Sequence, residues 1–167
     1  MKRIAIGLVL GLLVTACVEP SSSAPPATPG ESKAAAMTQE RMEQILSDIA
    51  SESRGTPGML DFTFQGVRLQ CISDVRADRM RIVAAIGPVS ELSGDQIARI
   101  LDANFVTSLD ARYGSSQGIL FAAFLHPLSA LSERELRSAA KQVASLARTF
   151  GSSYSAGSLH YNEGEAL

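Results

Sequence analysis

Between Leu60 and Ile86, apolar residues recur at every second position over three successive segments of the chain. A period of two is typical of strands that bury one face and leave the other face to water. The breaks between the segments, at residues 65–66 and 74–78, are short and polar. We therefore predict an antiparallel meander of three strands with one covered face. Its inward residues are Leu60, Phe62, Phe64, Val67, Leu69, Cys71, Met80, Ile82, Ala84 and Ile86.

Three segments with helical spacing surround this meander. The first begins after Thr38, which can cap it, and is ended by the turn residues 55–58. The second and third begin with capping boxes at Ser93 and Ser132, where a serine is followed three residues later by Gln or Glu. The apolar face of the second helix is marked by Ile97, Ile100, Leu101 and Phe105.

Two further strands are predicted between the second and third helices. Residues 108–113 alternate weakly, and Ile119–Leu125 is a continuous apolar run that should be buried on both faces. The resulting order is α-β-β-β-α-β-β-α. Strands that are clustered between helices indicate an α+β domain, here an antiparallel sheet of about five strands with three helices.

The N-terminal residues are typical of a targeting segment rather than of a folded element. A basic pair, Lys2-Arg3, precedes an apolar run and then small residues before Cys17. An apolar run of about 10–14 residues is too short to span a bilayer and fits a signal-peptide core. Its end resembles a bacterial lipobox, which implies cleavage before Cys17 and diacylation of the cysteine sulfur. We therefore expect residues 1–16 to be a lipoprotein signal peptide; a core helix with an incidental cysteine is the alternative.

The remaining chain divides by composition. Residues 17–36 comprise the lipidated cysteine and a tether rich in Pro, Ser and Ala, residues 37–155 form the single α+β domain, and residues 156–167 form a polar tail. The expected location is the bacterial cell envelope, with the domain facing the periplasm on a lipid anchor. Val18 follows the cysteine where a retention aspartate would stand, which favours the outer over the inner membrane.

Composition and motifs exclude several classes of function. With 15 basic and 17 acidic residues, the chain is not a strongly basic nucleic-acid binder. Two cysteines are too few for a disulfide scaffold or a cysteine-rich metal site, and two histidines are too few for a histidine-rich metal centre. None of the G-x-S-x-G, P-loop, dinucleotide-binding or H-E-x-x-H motifs occurs. We expect no enzyme activity, no cofactor, no metal and no nucleic-acid partner.

Two residues carry chemistry that such a protein could still use. His126 ends the last apolar strand, where it could serve as an acid-base group or satisfy a strand-end carbonyl. Cys71 lies on the apolar side of its strand, which indicates packing as a small hydrophobe. A redox sensor or an intermolecular disulfide are its alternatives.

Three segments resemble the pattern of YbjN-like bacterial proteins: Leu101–Phe105, Phe124–Leu128 and the pair Phe150-Gly151. The order of elements is similar to that of type III secretion chaperones of the Tir-chaperone kind. The resemblance covers residues 38–155 and implies a small, dimer-forming fold that binds partners without catalysis. Secretion chaperones hold effectors in the cytosol, whereas an exported chain does not meet them there. We therefore expect an envelope protein or peptide as the partner.

The candidate partner-binding or interface residues are Asn104, Ile119, Phe121 and Leu125. Asn104 either bonds a neighbouring backbone group or contacts a partner. The other three share one face of the last strand, whose opposite face is also apolar. A homodimer would cover one of the two faces, or helices of one chain would cover both. The alternative functions are a small envelope hydrolase using His126 and a lipoprotein whose only role is to dimerise.

Overall fold

The computed structural model describes residues 35–157. The predicted signal peptide, Cys17, almost all of the tether and the tail from residue 158 lie outside the described residues. The helices and strands, in chain order, are α1 Gln39–Ile49, β1 Glu52–Thr56, β2 Met59–Phe64, β3 Val67–Asp74, β4 Arg79–Pro88, a 3-10 turn Val89–Glu91, α2 Gly94–Val106, β5 Arg112–Ser116, β6 Ile119–His126 and α3 Glu133–Thr149.

The strands form one antiparallel sheet of six strands in the order β1-β2-β3-β4-β6-β5. The α+β class, the antiparallel meander and the three helices are confirmed. Both predicted capping boxes are present, at Ser93 with Gln96 and at Ser132 with Glu135. The Thr38 hydroxyl caps α1 by accepting a hydrogen bond from the Arg41 N–H at 3.2 Å.

The extra strand is β1, so the order of elements is α-β-β-β-β-α-β-β-α rather than the predicted one. All five residues of β1 are exposed, and the strand pairs with β2 along the sheet edge. Because β1 buries no side chain, its sequence carries no apolar alternation. The backbone hydrogen bonds to β2 hold it instead, and the predicted turn shrinks to Pro57 and Gly58.

The core lies between the sheet and two helices on one of its faces. α3 packs across β2, β3, β4, β5 and β6, and α1 packs beside it on β2. The inward side chains of the three meander strands are buried as predicted, apart from half-buried Val67 and Ile86. The helices contribute Met42, Ile45, Leu46, Leu136, Ala139, Ala140, Val143, Ala144 and Leu146.

The two faces of β6 differ in their cover, which corrects the prediction that both are buried. Leu120, Ala122 and Phe124 lie under α3 in the core. On the opposite face Phe121 is half-buried, and 60% of Leu125 is exposed. Within residues 35–157 the helices therefore cover only one face of β6. The prediction that helices of one chain cover both faces is wrong for this part of the chain. The opposite side of the sheet is called the open face below.

Asp78 ties the β3–β4 turn to the loop after β6. Its carboxylate accepts hydrogen bonds from the Ser129 N–H at 2.7 Å and from the Ser129 hydroxyl at 2.8 Å. These bonds, the one from the N–H first, hold the pKa of Asp78 below its ordinary value. A carboxyl with a lowered folded-state pKa stabilises the fold above its unfolded pKa, and this stabilisation is lost as pH falls through the folded-state pKa.

We therefore expect Asp78→Asn to lower the melting temperature at neutral pH. The difference from the parent chain should shrink below about pH 4, where the unfolded carboxyl becomes protonated. Thermal melts of both chains across a pH series measure this. A difference that stays constant into the acid range would contradict the assignment.

Candidate protein-binding surface

Helix α2 presents an apolar surface to solvent, contrary to the expectation that its apolar residues pack on the sheet. Its buried residues are Ile100 and Ala103. In contrast, 64% of Leu101 and 90% of Phe105 are exposed. Ile97 is also exposed. Because α2 is apolar on two sides, only one of them can face the core, and the second remains in water.

Asn104 helps to fix this orientation by attaching α2 to the sheet edge. Its Nδ2 donates to the Tyr113 carbonyl at 3.0 Å, and its Oδ1 accepts from the Tyr113 N–H at 2.7 Å. The side-chain amide thus occupies the place of a neighbouring strand's peptide and satisfies edge strand β5 at Tyr113. One of the two roles predicted for Asn104, a bond to a neighbouring backbone group, is therefore present. The other role, a contact with a partner, stays a prediction.

The exposed side of α2 combines small and large residues in a regular order. Gly94, Ala98, Leu101 and Phe105 follow the spacing i, i+4, i+7, i+11, which places them on one side of the helix. All four are exposed. We call these four residues the α2 stripe. Its N-terminal half is flat, because it carries glycine and alanine, and its C-terminal half protrudes. An added Cβ on Gly94 would meet no atom within 4 Å, so nothing in the described residues fills the space above it.

The open face of the sheet holds a concave groove of about 850 Å³. Arg54 from β1 and Arg68 from β3 lie in its polar part, and Val83 and Phe121 supply part of its apolar lining. Phe121 is one of the predicted interface residues. Leu125, another of them, lies on the same face four positions further along β6.

The third residue of that predicted set, Ile119, begins β6 and is half-buried. It pairs with Pro88 and Ser116. The three β6 residues therefore share the open face but differ in exposure, and Asn104 lies on α2 at the edge of β5. Sequence reasoning missed the α2 stripe as a surface. The available signal was that α2 is apolar on two sides, which is more than one buried face requires.

His126 lies at the end of β6 and lines a smaller pocket of about 360 Å³ together with Glu135 and Ser138. Its Nδ1 is 2.8 Å from the Pro127 carbonyl oxygen, and its ring stacks on Phe124 with the centroids 5.9 Å apart. Glu135 bonds Ser132, whose hydroxyl holds the pKa of Glu135 below its ordinary value. Within residues 35–157, His126 makes no hydrogen bond to a serine or a carboxylate, and the hydrolase alternative needs both.

Cys71 is enclosed in the core. Its Sγ lies 3.8 Å from the Met42 Sδ, and burial raises the pKa of the thiol to about 12, with a smaller contribution from the charge of Glu43. A thiol in this setting stays protonated at neutral pH and reacts slowly.

Gln142 is a buried polar residue that the sequence pattern did not single out. Its Oε1 accepts hydrogen bonds from the backbone N–H groups of Asp110 and Ala111, both at 2.9 Å. Its Nε2 donates to the Asp110 carboxylate and the Ser138 hydroxyl, both at 3.1 Å. Every donor and acceptor of the amide is used, so Gln142 fixes the loop before β5 on α3.

Two further features of residues 35–157 bear on function. No group of three or more His, Cys, Asp or Glu side chains in this part of the chain is arranged to hold a metal ion. None of the helices in the same range is long and apolar enough to cross a membrane.

No protein-family model and no curated protein matches the chain, whereas several solved structures do. The ExoU–SpcU heterodimer from the type III secretion system of Pseudomonas aeruginosa matches with a TM-score of 0.53 and 14% identity, over 65% of this chain and 93% of the other. The ExsC–ExsE complex matches with a TM-score of 0.50 and 13% identity, over 67% and 95%. The Yersinia pestis type III secretion chaperone SycH, in complex with a stable fragment of YscM2, matches with a TM-score of 0.48 and 13% identity, over 65% and 98%. The chain therefore has a type III secretion chaperone-like fold, as the resemblance in its sequence predicted.

Proposed function

We propose that this chain is an envelope lipoprotein whose α+β domain binds proteins without catalysing a reaction, and that it acts as a homodimer paired through the α2 stripe. The observation that carries the proposal is the exposure of Phe105, 90% of which lies in water. Exposed single apolar residues are ordinary, but a continuous apolar stripe of this kind is typical of a protein-protein contact. Burying apolar area contributes about 25 cal/mol per Å², so covering Phe105 and Leu101 is a substantial driving force.

A second copy of the chain is the occupant that fits the stripe best. If two α2 helices pack antiparallel about a two-fold axis, Phe105 of one copy faces Gly94 of the other, and Leu101 faces Ala98. The protruding half of each stripe then meets the flat half of its counterpart, and the open space above Gly94 is filled. A parallel pairing would set Phe105 against Phe105 and leave a void between the glycines. Antiparallel helices also bring opposite ends of their dipoles together.

The non-catalytic part of the proposal is supported by the setting of His126 and by the fold. His126 bonds a backbone carbonyl beside its own strand, as the non-catalytic interpretation of the sequence expects. Two of the matching structures, with TM-scores of 0.50 and 0.53, are complexes of one protein with another. A shared fold does not show that two proteins bind the same partner. In this proposal the partner is an envelope protein or peptide, because Cys17 would hold the domain on the periplasmic side of a membrane, with the outer membrane favoured.

Phe105→Asp tests the stripe in a chain that begins at Lys33. The parent should sediment as a dimer at micromolar concentrations, and Phe105→Asp should sediment as a folded monomer, because a carboxylate packed against Gly94 of the other copy would be a buried, unpaired charge. Phe105 is exposed in the single chain, so its replacement should change the circular dichroism spectrum little.

Val75→Asp is the matched control. Val75 is an apolar residue with 62% exposure on the β3–β4 turn, remote in sequence from α2. This variant should remain a dimer. A monomeric parent chain, or a Phe105→Asp variant that sediments like its parent, would refute the α2 stripe as the dimer contact.

A further inference from the structure

The chain returns to the end of α2 after its last helix. The Thr107 hydroxyl, at the C-cap of α2, donates a hydrogen bond to the Tyr154 carbonyl at 2.7 Å. The Ala156 N–H donates to the Thr107 carbonyl at 3.0 Å, and both Tyr154 and Ala156 are buried. The chain is therefore held against Thr107, two residues after Phe105, immediately before residues 158–167.

Residues 158–167 begin with an alternation of apolar and polar residues. Leu159 and Tyr161 alternate with His160 and Asn162. In an extended segment, alternate side chains lie on opposite sides, so Leu159 and Tyr161 share one side and the polar pair shares the other. Such a segment is suited to cover an apolar surface that is open to water on its outer side.

The spacing of the two apolar residues fits the length of the α2 stripe. An extended chain advances about 3.3 Å per residue, so Leu159 can lie about 7 Å and Tyr161 about 13 Å beyond residue 157. A helix rises about 1.5 Å per residue, so Leu101 lies about 9 Å from Thr107 along the axis of α2, with Phe105 between them. Leu159 can therefore reach Phe105, and Tyr161 can reach Leu101.

The α2 stripe needs a cover in the single chain as well as in the dimer. Of the side chains in the stripe, 90% of Phe105 and 64% of Leu101 are exposed among the described residues. A second copy covers them only where the protein is concentrated enough to dimerise. A segment that is attached beside the end of α2 is present at a high effective concentration, whatever the concentration of the protein.

We propose that residues 158–167 bind the α2 stripe of their own chain and compete for it with the second copy. Leu159 packs on Phe105, and Tyr161 packs on Leu101. This inference rests on the proposed function and deepens it by naming what regulates the dimer contact. Both copies must release the segment before they pair, so a segment that is bound half of the time raises the apparent dimer dissociation constant about fourfold.

Sedimentation of the full mature chain in density-matched detergent, with micelles in excess over protein, measures this constant. Leu159→Asp combined with Tyr161→Asp removes both apolar contacts and should lower the dimer dissociation constant about fourfold or more. His160→Asp combined with Asn162→Asp is the matched control, because it adds two carboxylates on the other side of the extended segment. The control should dimerise like the parent. Equal constants in all three chains, or equal changes in the two variants, would overturn the proposal.

A disulfide within one chain reports the contact without a dimer. Leu101→Cys combined with Tyr161→Cys should form an intrachain disulfide on mild oxidation at nanomolar dilution, and mass spectrometry of proteolytic peptides identifies it. Val75→Cys combined with Tyr161→Cys is the control and should link much less, because Val75 and Leu101 are similarly exposed, at 62% and 64%, but only Leu101 lies on α2.

Comparable linkage in the two cysteine pairs would overturn the contact between residues 158–167 and the stripe. If no chain dimerises while the 101–161 disulfide forms, the α2 dimer is refuted and the contact within the chain is supported. Failure of this proposal and failure of the proposed function are therefore distinguishable.

Discussion

Phe124→Asp is expected to unfold the domain, whereas Phe121→Asp should leave it folded. Phe124 is only 6% exposed, and it lies in the core under α3, with its ring on His126. Truncating a buried phenylalanine costs about 3–5 kcal/mol, and burying an unpaired carboxylate adds to this cost. Since small domains are stable by about 5–15 kcal/mol, this one substitution removes most or all of the stability.

Phe121 is the matched control, because it is the same residue type on the same strand and lies on the open face. Phe121→Asp should keep the circular dichroism spectrum and a cooperative melt. Thermal melts of the two variants, with the parent chain alongside, measure the difference. If both variants unfolded, the open face would be part of the core, and the assignment of the two faces would be wrong.

Cys17→Ala is expected to abolish the lipid anchor. Lipidation depends on this cysteine in the lipoprotein proposal, and several acyl chains anchor a protein stably where one does not. Labelled palmitate should enter the parent chain and not the variant. Labelling of Cys17→Ala at the parent level would refute the lipoprotein assignment.

Truncation gives a control for the membrane experiment. A chain that begins at Lys33 lacks Cys17 and the tether, but it retains every buried residue of the described core. It should fold and remain unlabelled, so that loss of the anchor can be separated from loss of the fold.

The fold could be predicted where burial leaves a periodic trace in the sequence. Phe62 and Ile82 lie in strands whose alternate residues enter the core, and the capping box at Ser132 marked the start of α3 correctly. β1 could not be predicted in this way, since an edge strand with all residues exposed is held by its backbone alone. Backbone pairing is independent of side-chain pattern, and so it leaves no such trace.

The candidate surfaces were harder to predict for a different reason. Helical spacing identified the apolar residues of α2, but it does not say which of two apolar sides faces the sheet. The bonds of Asn104 to Tyr113 settle this in the structure by attaching α2 at the edge of β5. The groove depends on Arg54 of β1 and Arg68 of β3 lying on one face of the sheet, with β2 between them, and Arg54 belongs to the strand that the pattern did not reveal.

The pairing of two α2 stripes can be measured directly by disulfide trapping. Gly94→Cys and Phe105→Cys are placed in separate chains, and buried Cys71 contributes little background because its thiol is enclosed. Antiparallel pairing sets position 94 of one copy against position 105 of the other. Oxidation of the mixture should therefore yield a disulfide-linked heterodimer, and each variant oxidised alone should stay largely unlinked. Efficient linkage of each variant alone with no 94–105 heterodimer in the mixture, or no linkage in any sample, would contradict the proposed dimer.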